Sequence, residues 1–223
     1  MSIPSFSSVL ASDRLAVLSG YMRRLLSPPL PGDGLLVVGF VEGVIGWSLS
    51  WLLVSNPSLA PFGFLESIVV LWIVLTAAIV AVGVVYTAPT VRRNRIWLVW
   101  AGLNASAVSI NIAAILGWFP RSLLDVPLVT AFLGFGYWRP WFLVLGLGYL
   151  ATAVYNWSNP QLRKSERVVY ALSGVTCLAI LSPWPSLPPL VGPELFLIGG
   201  LLHTIPMGFD VAADIALIMR RTG

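Results

Sequence analysis

Apolar runs of about twenty residues, parted by short basic groups, constrain this chain more than any other feature. The runs cover residues 35–55, 64–87, 96–119, 168–187 and 195–219, with a sixth, less regular stretch over 128–157. Each is long enough to cross a hydrocarbon layer of about 30 Å, which takes roughly 20 helical residues. In lipid, every backbone polar group must be satisfied within the segment, so a run of this kind can only be a helix. Composition agrees. Hydrophobic residues make up 57% of the 223 and charged residues 10%, against about 25% charged in soluble domains. A water-soluble surface cannot be made from so little polar material. The expected fold is an all-α, polytopic membrane helix bundle.

The stretch 128–157 is interrupted by Trp138, Arg139 and Pro140 and has room for one crossing or two. Charge decides between them. The basic residues fall in four groups: Arg14, Arg23 and Arg24; Arg92, Arg93 and Arg95; Arg163, Lys164 and Arg167; and Arg220 and Arg221. If 128–157 crosses once, over 141–157, all four groups lie on the same side and just Arg121 and Arg139 lie opposite. Loops rich in Lys and Arg stay in the cytoplasm. The prediction is six spans, both termini cytoplasmic, a multi-pass protein of the cell membrane, and a short re-entrant or interfacial piece over 128–137. Trp97, Trp118, Trp138, Trp141, Trp157 and Trp184 fall near span ends, where an interfacial belt would place them.

Residues 1–34 lack the continuous apolar core of a signal peptide. Val17, Leu18, Tyr21, Met22 and Leu25 recur at helical spacing among Asp13, Arg14, Arg23 and Arg24, which predicts an amphipathic helix lying on the membrane surface. Pro28, Pro29 and Pro31 end it. The sequence thus divides into an interfacial segment, 1–34, and a six-helix membrane domain, 35–223. Arginine outnumbers lysine twelve to one, a bias expected of a GC-rich prokaryotic genome.

Apolar residues explain insertion; polar residues at depth point to function, because an ionisable group at mid-span costs at least ~2.5 kcal/mol. The last span carries His203, Met207, Asp210 and Asp214 at intervals of four, three and four, which puts them on one helix face. Pro206 lacks an N–H and should bend the helix there. At ~1.5 Å per residue, Glu42, Asn104 and Asp210 fall at a similar depth above the basic end, and Asn111 and His203 lie deeper. Gly39 and Gly46 flank Glu42 and suit close approach of another helix. These six residues, Glu42, Asn104, Asn111, His203, Asp210 and Asp214, are the expected polar path or binding site, formed where spans one, three and six meet. Asp214, close to Arg220 and Arg221, equally fits the inner boundary.

Several chemistries are excluded. One cysteine, Cys177, permits neither an internal disulfide nor a cysteine-based metal centre. His203 and Met207 share a helix face and cannot clamp opposite sides of one haem iron. There is no Walker loop and no His-Glu metalloprotease motif, and neither cofactor nor metal is expected. The basic groups set orientation and do not imply nucleic acid. The partners are the lipid bilayer and other membrane proteins or further copies of this chain. Three functions remain: translocation of a proton, ion or small polar solute; a non-catalytic subunit of a larger membrane complex; or an intramembrane enzyme on a lipid-like substrate, with Asp210 or Glu42 as general acid and His203 as partner.

Overall fold

A computed structural model of the chain describes residues 6–119, 139–158, 162–181 and 193–221. The expected re-entrant piece at 128–137 lies outside them. Among the described residues eight α-helices run in order: α1 (Phe6–Leu25), α2 (Gly32–Ser55), α3 (Phe64–Val85), the single turn α4 (Pro89–Arg92), α5 (Arg95–Ile115), α6 (Arg139–Ser158), α7 (Lys164–Leu181) and α8 (Glu194–Arg221). A 3₁₀ turn, Pro57–Leu59, joins α2 to α3. The protein is an all-α membrane helix bundle. Four helices, α2, α3, α5 and α8, are long and apolar enough to cross a membrane by themselves. Two further helices, α6 and α7, of 20 and 18 residues, are less apolar and complete the bundle.

Local chemistry sets the helix ends. The Asn94 side chain accepts the Ile96 N–H at 2.9 Å and caps α5. At the far end Gly117 takes φ +64°, and the Trp118 and Gly117 N–H groups return to the Ala113 and Ala114 carbonyls at 2.9 and 3.2 Å. That pairing is a Schellman stop, so α5 ends four residues before the apolar run does. α7 begins at Lys164, not at 168, because the Glu166 carboxylate accepts the Arg163 backbone N–H at 2.6 Å. A glutamate at the third helical position reaching back to the capping residue closes the first turn. The charged residues that hydropathy places outside the span are its first turn.

Six long helices close into a ring in chain order. α2 packs on α3, α3 on α5, α5 on α6, α6 on α7, α7 on α8, and α8 back on α2. The closest pair is α6 and α7: a Cβ added to Gly174 would lie 2.9 Å from the Gly146 carbonyl oxygen, so two backbones touch where a side chain would part them. The expectation that spans one, three and six meet needs correction. α2 and α8 pack together, but α5 makes its main contacts with α3 and α6 and faces the α2–α8 pair across the ring.

The ring is inverted relative to a soluble protein. Val41, Val44, Leu49, Val74, Val154, Leu172 and Leu201 are exposed, whereas Ser50, Thr76, Asn111, Thr152, Asn156, His203 and Asp210 are buried. Lipid suits the first set, and the second must find partners inside. One end of the ring gathers the basic residues. The Leu30 N–H and carbonyl pair with the Tyr86 carbonyl and Ala88 N–H at 2.6 and 3.2 Å, which docks the α1–α2 linker on the α3–α4 linker. Arg163, before α7, reaches Asp214 near the end of α8 at 2.7 Å. Along the described part of α1, Leu15, Arg23 and Arg24 are exposed, while Val17, Leu18, Tyr21 and Met22 are half-buried and Leu25 is buried, the amphipathic face expected from the spacing.

Aromatic residues fill the other half of the ring. The Trp47 ring meets Trp72, Phe142 and Phe196 at centroid distances of 5.2, 5.7 and 6.1 Å, and Trp72 stacks on Trp141 at 5.0 Å. Trp141, expected in the interfacial belt, is 5% exposed and belongs to this core. Trp118 and Trp157, 69% and 65% exposed, do stand outward at helix ends.

Candidate functional site

Below the aromatic layer, the basic half of the ring is hollow. A cavity of about 260 Å³ runs from Gly32, Asp33, Asn94 and Leu162 at the basic end to Trp47, Trp72, Trp141 and His203 at its floor. On α2 that is fourteen residues from Asp33 to Trp47, about 21 Å at ~1.5 Å each. Asp33 is exposed and Trp47 buried, so the hollow joins the surface to the core from one end. Every long helix of the ring contributes to its wall.

Glu42, Asn104, His203 and Asp210 all line this cavity. Asn111 and Asp214 do not, and for them the expected shared path needs correction. Asn111 is buried among packed helices at 2% exposure. Asp214 is held at the basic end by Arg163. The lining residues are not joined to one another: no hydrogen bond or ion pair links Glu42, Asn104, His203 and Asp210 among the described residues. Asn104 donates to the Trp100 carbonyl at 2.8 Å. Asp210 accepts from the Tyr170 hydroxyl at 3.3 Å. Glu42, half-buried on the cavity wall, has no protein partner among the described residues.

His203 is fixed on three sides. Its Nδ1 accepts the Trp47 indole N–H at 3.1 Å, and since an indole can only donate, the neutral ring carries its own proton on Nε2. Trp72 lies nearly parallel to it, at 19° and 6.5 Å. Gly43 lies beneath, where a Cβ would come within 2.9 Å of the imidazole. Close to Pro206 of α8, the Tyr149 hydroxyl donates to the His203 carbonyl at 2.5 Å, in the turn that proline disturbs. No carboxylate reaches His203, so the acid–histidine pair that an intramembrane enzyme would use is not formed among the described residues.

The basic end carries a second, acidic group of residues. Glu166, 2% exposed, and Asp214 share one cation, Arg163. Burial opposes the Arg163 charge, but the adjacent Glu166 and Asp214 outweigh it and hold the pKa above the usual arginine value. On α1, burial together with the nearby Asp214 and Asp33 pushes the Tyr21 hydroxyl up to about 12. Asp33, Glu166 and Asp214 thus gather at this end although the surrounding loops are basic. Arg163→Ala is expected to leave Glu166 buried without its cation. Breaking a buried pair costs about 3–5 kcal/mol, and with Arg163 a third exposed we expect about 1–2 kcal/mol. The apparent Tm in detergent should fall by several degrees, and adding Glu166→Gln should return part of the loss.

Sequence reasoning missed Asp33, Tyr149 and Tyr170, and with the two tyrosines the roles of α6 and α7. A usable signal was present: Trp47, Trp72, Trp100, Tyr149 and Tyr170 lie well inside their helices, away from the interface where such residues collect. Compared with known protein families, curated proteins and solved structures, the chain matches none.

Proposed function

We propose that this chain translocates a small solute across the cell membrane, receiving it in the cavity from the cytoplasmic side. One observation carries the reading: the Glu42 carboxylate, set in the wall of an open cavity, has no protein partner among the described residues. A carboxylate at depth costs at least ~2.5 kcal/mol, and a purely structural one would be expected to have found a donor, as Glu166 has. The polar path runs from Asp33 past Asn104, Glu42 and Asp210 to His203, with the aromatic layer as its closed end. Transport would require that layer to part, as in alternating access.

The orientation follows from charge. The basic end faces the cytoplasm, the six long helices each cross once, both termini are cytoplasmic, and α1 lies on the inner surface with its apolar face against the bundle. The bilayer is the partner this reading needs. It is favoured over a non-catalytic subunit because the acids face an open cavity and not a paired, dry interface.

Single cysteines test this directly. Cys177 is the sole cysteine and is buried, so Cys177→Ala gives a clean background. A membrane-impermeant maleimide should label Asp33→Cys and Asn104→Cys from the cytoplasmic side alone, and Ser58→Cys, exposed in the 3₁₀ turn, from the outside alone. Asn104→Cys that labels from neither side, or from the outside, would overturn the inward-facing cavity.

A further inference from the structure

We infer that the ligand of this cavity is a small organic cation, a protonated or quaternary amine with an apolar body. This rests on the translocation reading above and adds the substrate class. The free groups of the walls point to it. The indole N–H of Trp47 is taken by His203, that of Trp72 by Ser50 and that of Trp100 by Thr152, each at 3.1 Å. The hydroxyls of Tyr149 and Tyr170 are taken by the His203 carbonyl and by Asp210. These five aromatic residues, all on the cavity wall, have spent their polar hydrogens inside the protein. Trp47, Trp72, Tyr149 and Tyr170, at most 3% exposed, close the wall, and the ring surface open to the hollow is that of the half-buried Trp97 and Trp100, which attracts cations through the negative face of the π system.

The charged groups that remain are all acids, beside neutral N–H groups on Trp97, Trp141 and His203. Among the described residues Glu42 has no partner, Asp33 stands at the mouth, and Asp210 keeps a second oxygen beyond the one Tyr170 uses. No lysine or arginine lines the cavity among the described residues, so an anion finds no counter-charge. A hard metal ion needs six or more oxygens converging at 2.0–2.6 Å, whereas Glu42, Asn104 and Asp210 are separate and the wall between them is largely carbon. An organic cation uses both halves: its charge on Glu42, its methyl or ring groups on the indoles. The volume, about 260 Å³, lies just under the ~300–1,000 Å³ of ordinary small-molecule sites, which restricts the ligand to about the size of a benzylammonium.

The test uses the full chain in phosphatidylcholine nanodiscs, with binding read by calorimetry. The probes are benzyltrimethylammonium and phenylacetate, the second an aromatic ligand of similar shape and opposite charge. Benzyltrimethylammonium should bind saturably and phenylacetate should not. Glu42→Gln should weaken the cation at least tenfold, while Glu66→Gln, exposed at the opposite end, should leave it unchanged. Equal binding of the two probes, no binding of the cation, or an unaltered Glu42→Gln would overturn the inference. The wild-type comparison needs no substitution, so the test survives a variant that fails to fold. Absence of cation binding beside normal inward labelling of Asn104→Cys would remove the substrate class and leave the translocation reading standing; loss of that labelling would remove the translocation reading itself.

Discussion

Trp47→Ala should be the most damaging single substitution in the spans, with a loss of about 3–5 kcal/mol. In a bilayer, burying apolar surface does not by itself hold helices together, since lipid tails are as apolar as leucine; fit does. Trp47, 3% exposed, supplies that fit for four helices. From α2 it meets Trp72 of α3, Phe142 of α6 and Phe196 of α8, and it donates to His203. Gly199 and Gly200 leave room for the indole: a Cβ at either would crowd it. Alanine empties that site, and the rigid rings around it cannot all move in. Trp47→Phe separates the two contributions. It keeps most of the volume and removes the N–H, so the expected loss is about 1–3 kcal/mol for an imidazole left without its donor. Apparent melting in detergent, followed by gel filtration, should rank wild type above Trp47→Phe above Trp47→Ala. If Trp47→Phe were as damaging as Trp47→Ala, the hydrogen bond and not the packing would be the main term.

Where helices begin and that they cross lipid could be read from the sequence, because both depend on quantities that sum along the chain. Twenty apolar residues make a span whatever their order, and the side taken by Arg92, Arg163 and Arg220 depends on number and sign. α6 is one helix, Arg139–Ser158, close to the expected crossing over 141–157, and the rest of that stretch lies outside the described residues. The neighbours of each helix could not be read. In a soluble helix the apolar stripe points to the core. In α6 both faces are apolar, and nothing in Trp141, Phe142, Val144, Leu145 and Tyr149 as letters says that they turn inward, as they do.

The same limit shaped the site. Glu42, Asn104, His203 and Asp210 were legible because a polar group in a span is costly wherever it points. Asn111 and Asp214 were legible for the same reason and stand apart from the cavity, because depth along a helix does not give its rotation. Asp214 was ambiguous from its distance to Arg220; the cation it pairs with is Arg163, from another helix. Asp33 and Tyr170 escaped notice because an aspartate at a span's start and a tyrosine within one are ordinary. Their importance comes from the ring that brings α2 and α7 to one hollow.

Gly43→Val should cost about 2–3 kcal/mol, and most of that cost should vanish when His203 is shortened. Valine improves helix propensity over glycine by a few tenths of a kcal/mol, so a loss must come from packing. The Cβ would stand 2.9 Å from His203 Cδ2 and 3.0 Å from Cγ and Nε2. A flexible side chain would swing away. This imidazole is tied at Nδ1 to Trp47 and lies along Trp72, so relief requires α2 to move off α8, and α2 is already close against α3 on that side: a Cβ added at Gly46 would stand 2.8 Å from the Trp72 ring. In a His203→Ala background the ring is gone and the valine methyls enter the space it left. The two single losses should therefore sum to more than the double variant's loss by at least about 1 kcal/mol, the coupling expected of residues in contact. Additive losses would mean that the glycine serves α2 itself and not the seat of His203. The outcome matters beyond stability, because Gly43 is one residue from Glu42. A helix pair held this closely fixes the carboxylate on the cavity wall, so Gly43→Val should also weaken whatever the cavity binds, and the His203→Ala background should restore the fold without restoring the floor.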